Sequence, residues 1–340
     1  MAATIAMHSR HPNARVMPTS TDHTCLAGMM STAANIWIAE RYREILKNAE
    51  LAQFDQVMNT KAGRCLRVLP DRENWYLQTT FGMYLKKHRA RTWATWIVAA
   101  LNNTARFWGE CHNCRERPLQ RSVRTFMERH AGHSPQHVHA PFGLASSPSP
   151  GRIEAENALA LQSLGIDVMP LMAYGEKLHA DGRLESFLLS EELVGYCELQ
   201  DFIQLRFPLR NNGSPLEPAL RRLIVQVADI ARRFHAAGFN HRDFYCCHFL
   251  VKEMSPDQFD VRLIDLQRVQ QRRWFRRRWI VKDLAQLVSM SPDDRVGCRE
   301  KILFLRTYLG VRKLRPQDKR LVHDVLWKLS WIRRRTRHKP

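Results

Sequence analysis

The second half of the chain has the most regular pattern of hydrophobic and polar positions. Between residues 215 and 237 apolar side chains recur every three or four positions, which predicts an amphipathic helix that ends before Gly238. Two short apolar runs follow at 249–252 and 261–266, and a Ser-Pro-Asp turn separates them. Short apolar runs on either side of a turn predict a pair of strands. Helical spacing returns at Lys282 and continues to the end of the chain.

The first half of the chain is less regular. Residues 35–59 have apolar positions at helical spacing and predict one or two helices, whereas residues 65–86 have short apolar runs between turn residues and predict strands. A further helix is predicted at 153–164, where Gly165 ends it, with strands at 168–174 and 187–189. Residues 1–34 are polar and are predicted to be disordered or to result from an over-long gene start.

Composition limits the classes of protein that the chain can belong to. A hydrophobic content of 44% supports a packed core, and a formal net charge of +20 favours an anionic partner. That partner could be nucleic acid, an acidic membrane surface or a phosphorylated substrate. Eight scattered cysteines and the lack of a signal-peptide pattern predict reduced thiols in a cytoplasmic protein. The longest apolar run, 96–101, is too short to span a bilayer, so any membrane association is expected to be peripheral.

Two acidic residues lie where a phosphoryl-transfer site requires carboxylates. Asp243 belongs to a His241-Arg242-Asp243 triplet that directly follows the long helix, and Asp265 comes at the end of the second short strand. Phosphoryl transfer needs one carboxylate to orient the attacking hydroxyl and a second to hold Mg²⁺ against the phosphates. We therefore predict a catalytic loop of His241, Arg242 and Asp243, with Asp265 as metal ligand, although aspartate is also common in ordinary turns.

The segments around these acids resemble those of the lipopolysaccharide kinases, the family of Kdo kinases and WaaP-like enzymes. The resemblance extends over about residues 60–300. The matching segments are Tyr84-Leu85-Lys86-Lys87-His88-Arg89, the helix that Glu154 opens, Ser190-Glu191-Glu192-Leu193, and the ranges 241–250, 264–268 and 278–284.

The resemblance implies a two-lobed, protein-kinase-like α+β fold with ATP and Mg²⁺ as cofactors. A β-rich N-lobe is expected over residues 35–193, with an insertion at about 90–150, and a mainly helical C-lobe with a basic tail over 194–340. Lys86 would hold the nucleotide phosphates, and Glu154 would form an ion pair with it. The hinge that meets adenine would be formed by Glu191–Leu193.

Two further residues gain roles from the same resemblance. Asp283 would brace the catalytic loop from behind. His248 stands five places after Asp243, where protein kinases have a metal-binding Asn. Whether this imidazole binds a second metal ion or only braces the loop stays open.

Several assignments have competitors within the sequence. Lys87 and Glu156 compete for the roles of Lys86 and Glu154, and Gly63 is the only glycine near the expected phosphate loop. The insertion also contains residues with the chemistry of zinc ligands, but their spacing favours a solvated loop. These residues are Cys111, Cys114, His133 and His137.

A dense basic run follows Asp265, where a kinase places its substrate-recognition segment. Arginine forks suit phosphate and carboxylate oxygens, and interleaved tryptophans suit a sugar face or a lipid interface, although such a run is often only a solvated face. The run consists of Arg268, Arg272, Arg273, Arg276, Arg277 and Arg278, with Trp274 and Trp279 among them. We predict that Arg268, Arg276, Arg277 and Arg278 bind the acceptor, and that the basic tail at 333–339 attracts anionic lipid.

The sequence therefore predicts an ATP-dependent kinase that phosphorylates a heptose or Kdo hydroxyl of the lipopolysaccharide inner core at the inner membrane. The expected partners are a lipopolysaccharide core or lipid A precursor and anionic membrane lipid, and no nucleic acid. A protein kinase or small-molecule phosphotransferase of the same fold is the alternative. An inactive kinase-like binding protein is also an alternative, against which the presence of Asp243 and Asp265 argues.

Overall fold

The computed structural model describes residues 35–69, 71–89, 149–179, 183–209, 216–272 and 274–337. The predictions for residues 1–34, for the Cys/His cluster at 111–137 and for nearly all of the insertion lie outside these residues. The described residues form a sheet-rich N-terminal lobe and a mainly helical C-terminal lobe, which confirms the predicted α+β class.

A six-stranded antiparallel sheet forms the N-terminal lobe. In chain order its strands are β1 (Asn35–Ile38), β2 (Arg64–Leu69), β3 (Arg72–Gln78), β4 (Gly82–His88), β5 (Leu171–Leu178) and β6 (Leu184–Glu191). Their order across the sheet is β1-β5-β6-β4-β3-β2, so that sequence-distant β4 and β6 are neighbours. The strands predicted within 65–86, 168–174 and 187–189 are confirmed.

The helical prediction for residues 35–59 is wrong at its beginning. Residues Asn35–Ile38 form β1 and pair with β5, where the ring of Trp37 stacks on Tyr174 with centroids 5.8 Å apart. Ile and Trp favour extended backbone, and an open sheet edge offers a short segment more hydrogen bonds than a helical turn can. Two short helices then follow as predicted, α1 (Arg43–Asn48) and α2 (Phe54–Asn59).

These two helices cover one face of the sheet. Leu46, Phe54 and Val57 are buried against Met83 and Leu85, which are odd-numbered positions of β4. Successive strand residues point to opposite faces, so the even-numbered positions of β4 point to the other face, toward the C-terminal lobe.

Helix α3 (Pro150–Ser163) packs on the sheet beside β6 and begins with a complete N-cap. The Ser149 hydroxyl accepts a hydrogen bond from Arg152 N at 3.2 Å, and Pro150 occupies the first turn. A β-carbon on Gly151 would lie 2.7 Å from Phe187 O, so only glycine allows this close approach of the helix to β6. The close approach of α3 to β6 sets the position of Glu154, which lies one turn further along the helix.

The long predicted amphipathic helix is at the centre of the C-terminal lobe. Helix α5 (Pro218–Ala236) buries Phe234, whose ring stacks on Phe244 of the following loop with centroids 5.6 Å apart. Gly238, at φ +90°, ends it as predicted. The small strands and the preceding helix of this lobe are α4 (Leu199–Arg206), β7 (Cys197–Glu198), β8 (Phe239–Asn240), β9 (Phe249–Ser255), β10 (Gln258–Leu263) and β11 (Gln270–Gln271).

Three more helices complete the described part of the chain. They are α6 (Arg276–Ser289), α7 (Cys298–Leu309) and α8 (Pro316–Arg337). Helix α6 begins ahead of Lys282, where the helical pattern was first apparent, and packs against α8, while α7 packs against α5. None of the helices that the structure describes combines the length and the apolar character needed to cross a membrane.

Candidate active site

Lys86 and Lys87 lie on opposite faces of β4, which separates their roles. Lys86 donates from Nζ to Glu154 Oε1 at 2.7 Å and to Asp265 Oδ1 at 3.1 Å. Lys87 is buried on the other face, where it donates to the Thr60 carbonyl and lies 4.8 Å from the centre of the Trp75 ring. The geometry therefore favours Lys86 as the lysine that faces the cleft.

Glu154 reaches the cleft from the first turns of α3 and is fully buried. Its competitor Glu156 instead pairs with Arg152 one turn away, at 2.7 Å. Burial alone would lower the pKa of Lys86, but the carboxylates of Glu154 and Asp265 outweigh it and raise that pKa above its ordinary value. The cleft therefore contains a charged ammonium between two acidic side chains.

Asp265 occupies the position after β10 that the sequence predicted. Its backbone is left-handed, at φ +56°, which turns the side chain back toward the cleft. Burial would raise the pKa of Asp265, but the ammonium of Lys86 outweighs burial and holds the pKa below its ordinary value. Asp265 is consequently an ionised carboxylate, the form that a metal ion requires.

Asp283 braces the catalytic loop from α6. Its two carboxylate oxygens accept hydrogen bonds from the backbone N–H groups of His241 at 2.8 Å and Arg242 at 3.0 Å. Asp283 is fully buried, and Arg242 adopts φ +69°, a conformation that side-chain-bearing residues adopt only when their surroundings hold them there. The position of Asp243 is therefore set by a buried carboxylate on a helix.

Buried His241 joins the catalytic loop to the short segment between β10 and Asp265. Its ring lies with Nε2 3.1 Å from Ile264 O, and burial lowers its pKa to about 4. His241 is thus neutral at physiological pH and has a positioning role. The ring of His248 stacks on it, with centroids 5.4 Å apart.

Among the described residues of the basic run, Arg268 directly contacts Asp243. Arg268 Nη1 lies 2.5 Å from Asp243 Oδ2, and its side chain is 51% exposed at the mouth of the cleft. A charge-assisted bond of this kind is short and restricts the rotation of the carboxylate. Arg268 therefore lies where an acceptor hydroxyl would have to approach.

The other three predicted acceptor ligands contact different parts of the chain. Arg276 donates to the backbone carbonyl of His235, and Arg277 pairs with Asp324 of α8 at 2.7 Å. The guanidinium of Arg278 lies over the ring of Trp279 at 5.6 Å from its centre. The structure therefore brings only Arg268 of the four predicted acceptor ligands to Asp243.

The donor set around Asp265 fits Mg²⁺ better than a softer metal ion. Mg²⁺ prefers oxygen ligands and is usually held by one or two carboxylates together with substrate phosphates. His248 faces Asp265 with Nε2 at 3.8 Å from Oδ2, and its Nδ1 lies 2.6 Å from Asp243 O. Among the residues described, no cluster of three or more His, Cys, Asp or Glu has a metal-binding arrangement.

The predicted hinge, Glu191–Leu193, connects β6 to the C-terminal lobe. The Glu191 carboxylate accepts a hydrogen bond from Tyr42, and Glu192 Oε2 accepts one from Tyr76 at 2.8 Å. The Glu192 N–H donates to Gly82 O at 2.8 Å. These bonds tie the segment to the N-terminal lobe, and its contact with adenine remains a prediction.

Two residues near the cleft were not assigned a role from the sequence. Lys282 of α6 donates from Nζ to the carbonyl of Arg242, and burial lowers its pKa to about 8. Asn157 of α3 donates to Leu266 O at 3.0 Å and to Val269 O at 3.1 Å, which holds the loop after Asp265 against α3. Lys282 immediately precedes Asp283 in a matching segment, whereas no pattern in the sequence marks Asn157.

The kinase-like class of proteins has this arrangement: a lysine–glutamate pair beneath a sheet, an aspartate in a braced loop and a second aspartate after a strand. Comparison with known families agrees: residues 142–308 match the lipopolysaccharide kinase (Kdo/WaaP) family. The chain belongs to this family, as its similarity to individual relatives also shows.

The chain is similar to lipopolysaccharide core heptose(I) kinases named WaaP. It is 38% identical over 179 residues to that of Pseudomonas aeruginosa, covering 52% of this chain and 63% of that protein. It is 32% identical over 187 residues to that of Escherichia coli K12, covering 53% of this chain and 68% of that protein. The match to the first of these relatives thus spans less than two thirds of its length.

A solved structure described as WaaP in complex with acyl carrier protein has a similar fold. The TM-score is 0.56 at 26% identity, and the match covers 88% of this chain and 97% of that one. The predicted family and the two-lobed fold are confirmed by these comparisons.

Proposed function

We propose that this chain is an ATP- and Mg²⁺-dependent kinase that phosphorylates a heptose hydroxyl of the lipopolysaccharide inner core. The observation that supports it most directly is the ion-paired cluster in which Lys86 contacts both Glu154 and Asp265. Asp243 stands in the neighbouring braced loop. The names of the relatives favour heptose over Kdo as the acceptor sugar.

The nucleotide side of the reaction is assigned to Lys86 and Asp265. Lys86, held in place by Glu154, binds phosphate oxygens, and Asp265 contributes a carboxylate oxygen to the metal site. When bound, Mg²⁺ supplies charge neutralisation and a template for the phosphates. His248 lies beside Asp265 and orients it.

The acceptor side is assigned to Asp243 and Arg268. Asp243 orients the attacking hydroxyl and accepts its proton as the phosphoryl group transfers. Arg268 contacts the same carboxylate, so an acceptor that enters must share or displace this bond. A guanidinium suits the anionic groups of an inner core, because it offers two parallel donors to phosphate or carboxylate oxygens.

An acceptor panel tests this proposal. Purified protein is incubated with labelled ATP and Mg²⁺ and, separately, with delipidated core that lacks heptose phosphate, with free heptose and with a generic protein substrate. We expect label on the core and none on the protein substrate. Label on the protein substrate, or hydrolysis without transfer to any sugar, would contradict the assignment.

We further place the reaction at the cytoplasmic face of the inner membrane. The acceptor is anchored in lipid while ATP is cytoplasmic, and a net charge of +20 favours an anionic surface. Fractionation of cells should recover the protein in the inner-membrane fraction, and high salt should release it. Recovery only in the soluble fraction at low salt would count against this placement.

We also propose that this chain can bind an acyl carrier protein, because the solved WaaP relative is in complex with one. A cleft of about 540 Å³ between α5 and α7 is a candidate contact surface, since arginines surround its apolar floor. These are Arg221, Arg299, Arg306 and Arg312. Co-expression followed by gel filtration tests the complex, and Arg306→Glu with Arg312→Glu should abolish it if the cleft is the contact.

A further inference from the structure

The C-terminal helix α8 has one face packed on the protein and one face exposed. Leu321 and Leu329 are buried at 9% and 6% exposure, whereas Trp327 and Trp331 are 65% and 39% exposed. Positions i and i+4 lie on the same face of a helix, so the two indoles are neighbours. Large aromatic side chains that face water cost free energy unless a partner covers them.

Basic side chains surround the two indoles. The ammonium of Lys328 and the guanidinium of Arg335 lie 3.9 Å and 3.7 Å from the centre of the Trp331 ring. Burial lowers the pKa of Lys328, and the nearby charges of Arg278 and Arg335 lower it further. Three cations of α6 and α8 therefore lie close together. Arg334 is exposed on the same helix.

These cations lack acidic partners within the described part of the chain. Asp324 is the only acid between residues 319 and 340, and it pairs with Arg277. Arg333 pairs with Asp293 at 2.9 Å, but no described carboxylate lies within 4.0 Å of Lys328, Arg334 or Arg335. Like charges held together without a counter-ion favour an anionic partner.

The structure also connects this face to the cleft. Helix α6, which packs on α8, begins just after exposed Trp274 and Phe275. These two residues are the last of the segment that begins at Asp265. Arg268 of the same segment contacts Asp243. Helix α8 is thus linked through α6 to the segment that contacts Asp243.

We propose that the exposed face of α8, formed by Trp327, Trp331, Lys328, Arg334 and Arg335, docks on an anionic phospholipid bilayer. Indoles prefer the headgroup level of a bilayer, and a helix with aromatic and basic residues on one face lies in that plane. The cations meet the lipid phosphates while the indoles insert between headgroups. The choice of a bilayer rests on the proposed function, but binding needs neither ATP nor acceptor.

Vesicle binding tests the docking face. Full-length protein is centrifuged with phosphatidylcholine vesicles that contain or lack phosphatidylglycerol. We expect binding only to the anionic vesicles. The double variant Trp327→Ala/Trp331→Ala should lose about tenfold in affinity, and Lys328→Gln/Arg334→Gln/Arg335→Gln about fivefold for each charge removed. Leu205→Ser, at an 84% exposed apolar position on α4, serves as the matched control and should bind like wild type.

A second measurement compares the wild-type protein with a conservative variant that keeps an aromatic ring at both positions. Brominated lipids quench indoles that enter the bilayer, so quenching should be present in wild type and fall in Trp327→Phe/Trp331→Phe. Unchanged vesicle affinity in both the aromatic and the charge variants, or tight binding to RNA without binding to vesicles, would overturn the proposal.

The kinase proposal and the docking proposal can be tested independently of each other. The aromatic variant should phosphorylate a delipidated acceptor at the wild-type rate and lose activity only on acceptor presented in vesicles. If wild type binds vesicles but transfers no phosphate, the kinase assignment fails and the docking face stands. If it transfers phosphate but ignores anionic vesicles, the docking face is wrong.

Discussion

Two adjacent lysines with opposite surroundings provide a matched test at the scale of single residues. Lys86 faces Glu154 and Asp265, whereas Lys87 is 1% exposed and bonded to Thr60 O. Lys86→Met should lower phosphate transfer at least about a hundredfold, because no other described cation contacts both acids. Lys87→Met should keep the catalytic rate but lower the free energy of unfolding by about 1–3 kcal/mol, since a partly buried carbonyl loses its donor.

Steady-state kinetics and chemical denaturation of both lysine variants distinguish these outcomes. The reverse result, with activity lost in Lys87→Met and retained in Lys86→Met, would exchange the two assignments.

The contact between Arg268 and Asp243 predicts that Arg268 contributes to acceptor binding. Arg268→Gln should lower kcat/KM for the core acceptor about tenfold or more, while the affinity for Mg-ATP stays the same. Arg268→Lys keeps the charge but not the fork, and should restore only part of the loss. A change in nucleotide affinity with unchanged acceptor kinetics would place this arginine over the phosphates instead.

At the scale of elements, the position of α3 depends on a close approach at Gly151. A β-carbon there would meet Phe187 O at 2.7 Å, so Gly151→Ala should push the helix from the sheet and weaken the Lys86–Glu154 pair. We expect a loss of about 1–3 kcal/mol in stability together with a lower catalytic rate. Gln162→Ala, at an exposed position of the same helix, is the control. Denaturant unfolding and transfer assays should show both effects only at position 151.

Periodicity and motif spacing predicted most elements of the fold, and the resemblance to the family supplied most site residues. The apolar spacing of residues 215–237 predicted helix α5. Strand β1 was missed because the conformation of so short a segment depends on its pairing with an open sheet edge rather than on its own sequence pattern. Lys86 and Lys87 could not be separated without knowing which face of β4 meets the cleft. Asn157 was missed because the bonds from its side-chain amide to the carbonyls of Leu266 and Val269 leave no pattern in the sequence.

The placement of the arginines shows the same limit. The composition of the basic run predicted an anionic ligand, but a helix start at Arg276 directs Arg276 and Arg277 toward His235 and Asp324. Contacts between distant elements, rather than the local charge pattern, therefore decide which arginine reaches the active site.

At the scale of the whole molecule, nucleotide binding should couple the two lobes. Lys86 and Glu154 belong to the N-terminal lobe and Asp265 to the C-terminal one, so Mg-ATP should stabilise the folded chain. At about a hundredfold excess over Kd the gain is about 2.7 kcal/mol. Thermal unfolding should show a higher Tm with Mg-ATP, and the increase should disappear with EDTA or in Asp265→Ala. An undiminished increase in that variant would remove Asp265 from the metal site.

The decisive experiment on the active site replaces Asp243 by asparagine and measures two quantities on the same preparation. Asn keeps the shape and the loop bonds to Asp283 but cannot accept the hydroxyl proton. Calorimetry should find Mg-ATP affinity close to wild type, while phosphate transfer to the lipopolysaccharide core falls at least about a hundredfold. Asp201→Asn, at an exposed position on α4, should change neither quantity. Transfer at the wild-type rate by Asp243→Asn would contradict the conclusion that this cleft is a phosphotransferase active site with Asp243 as its base.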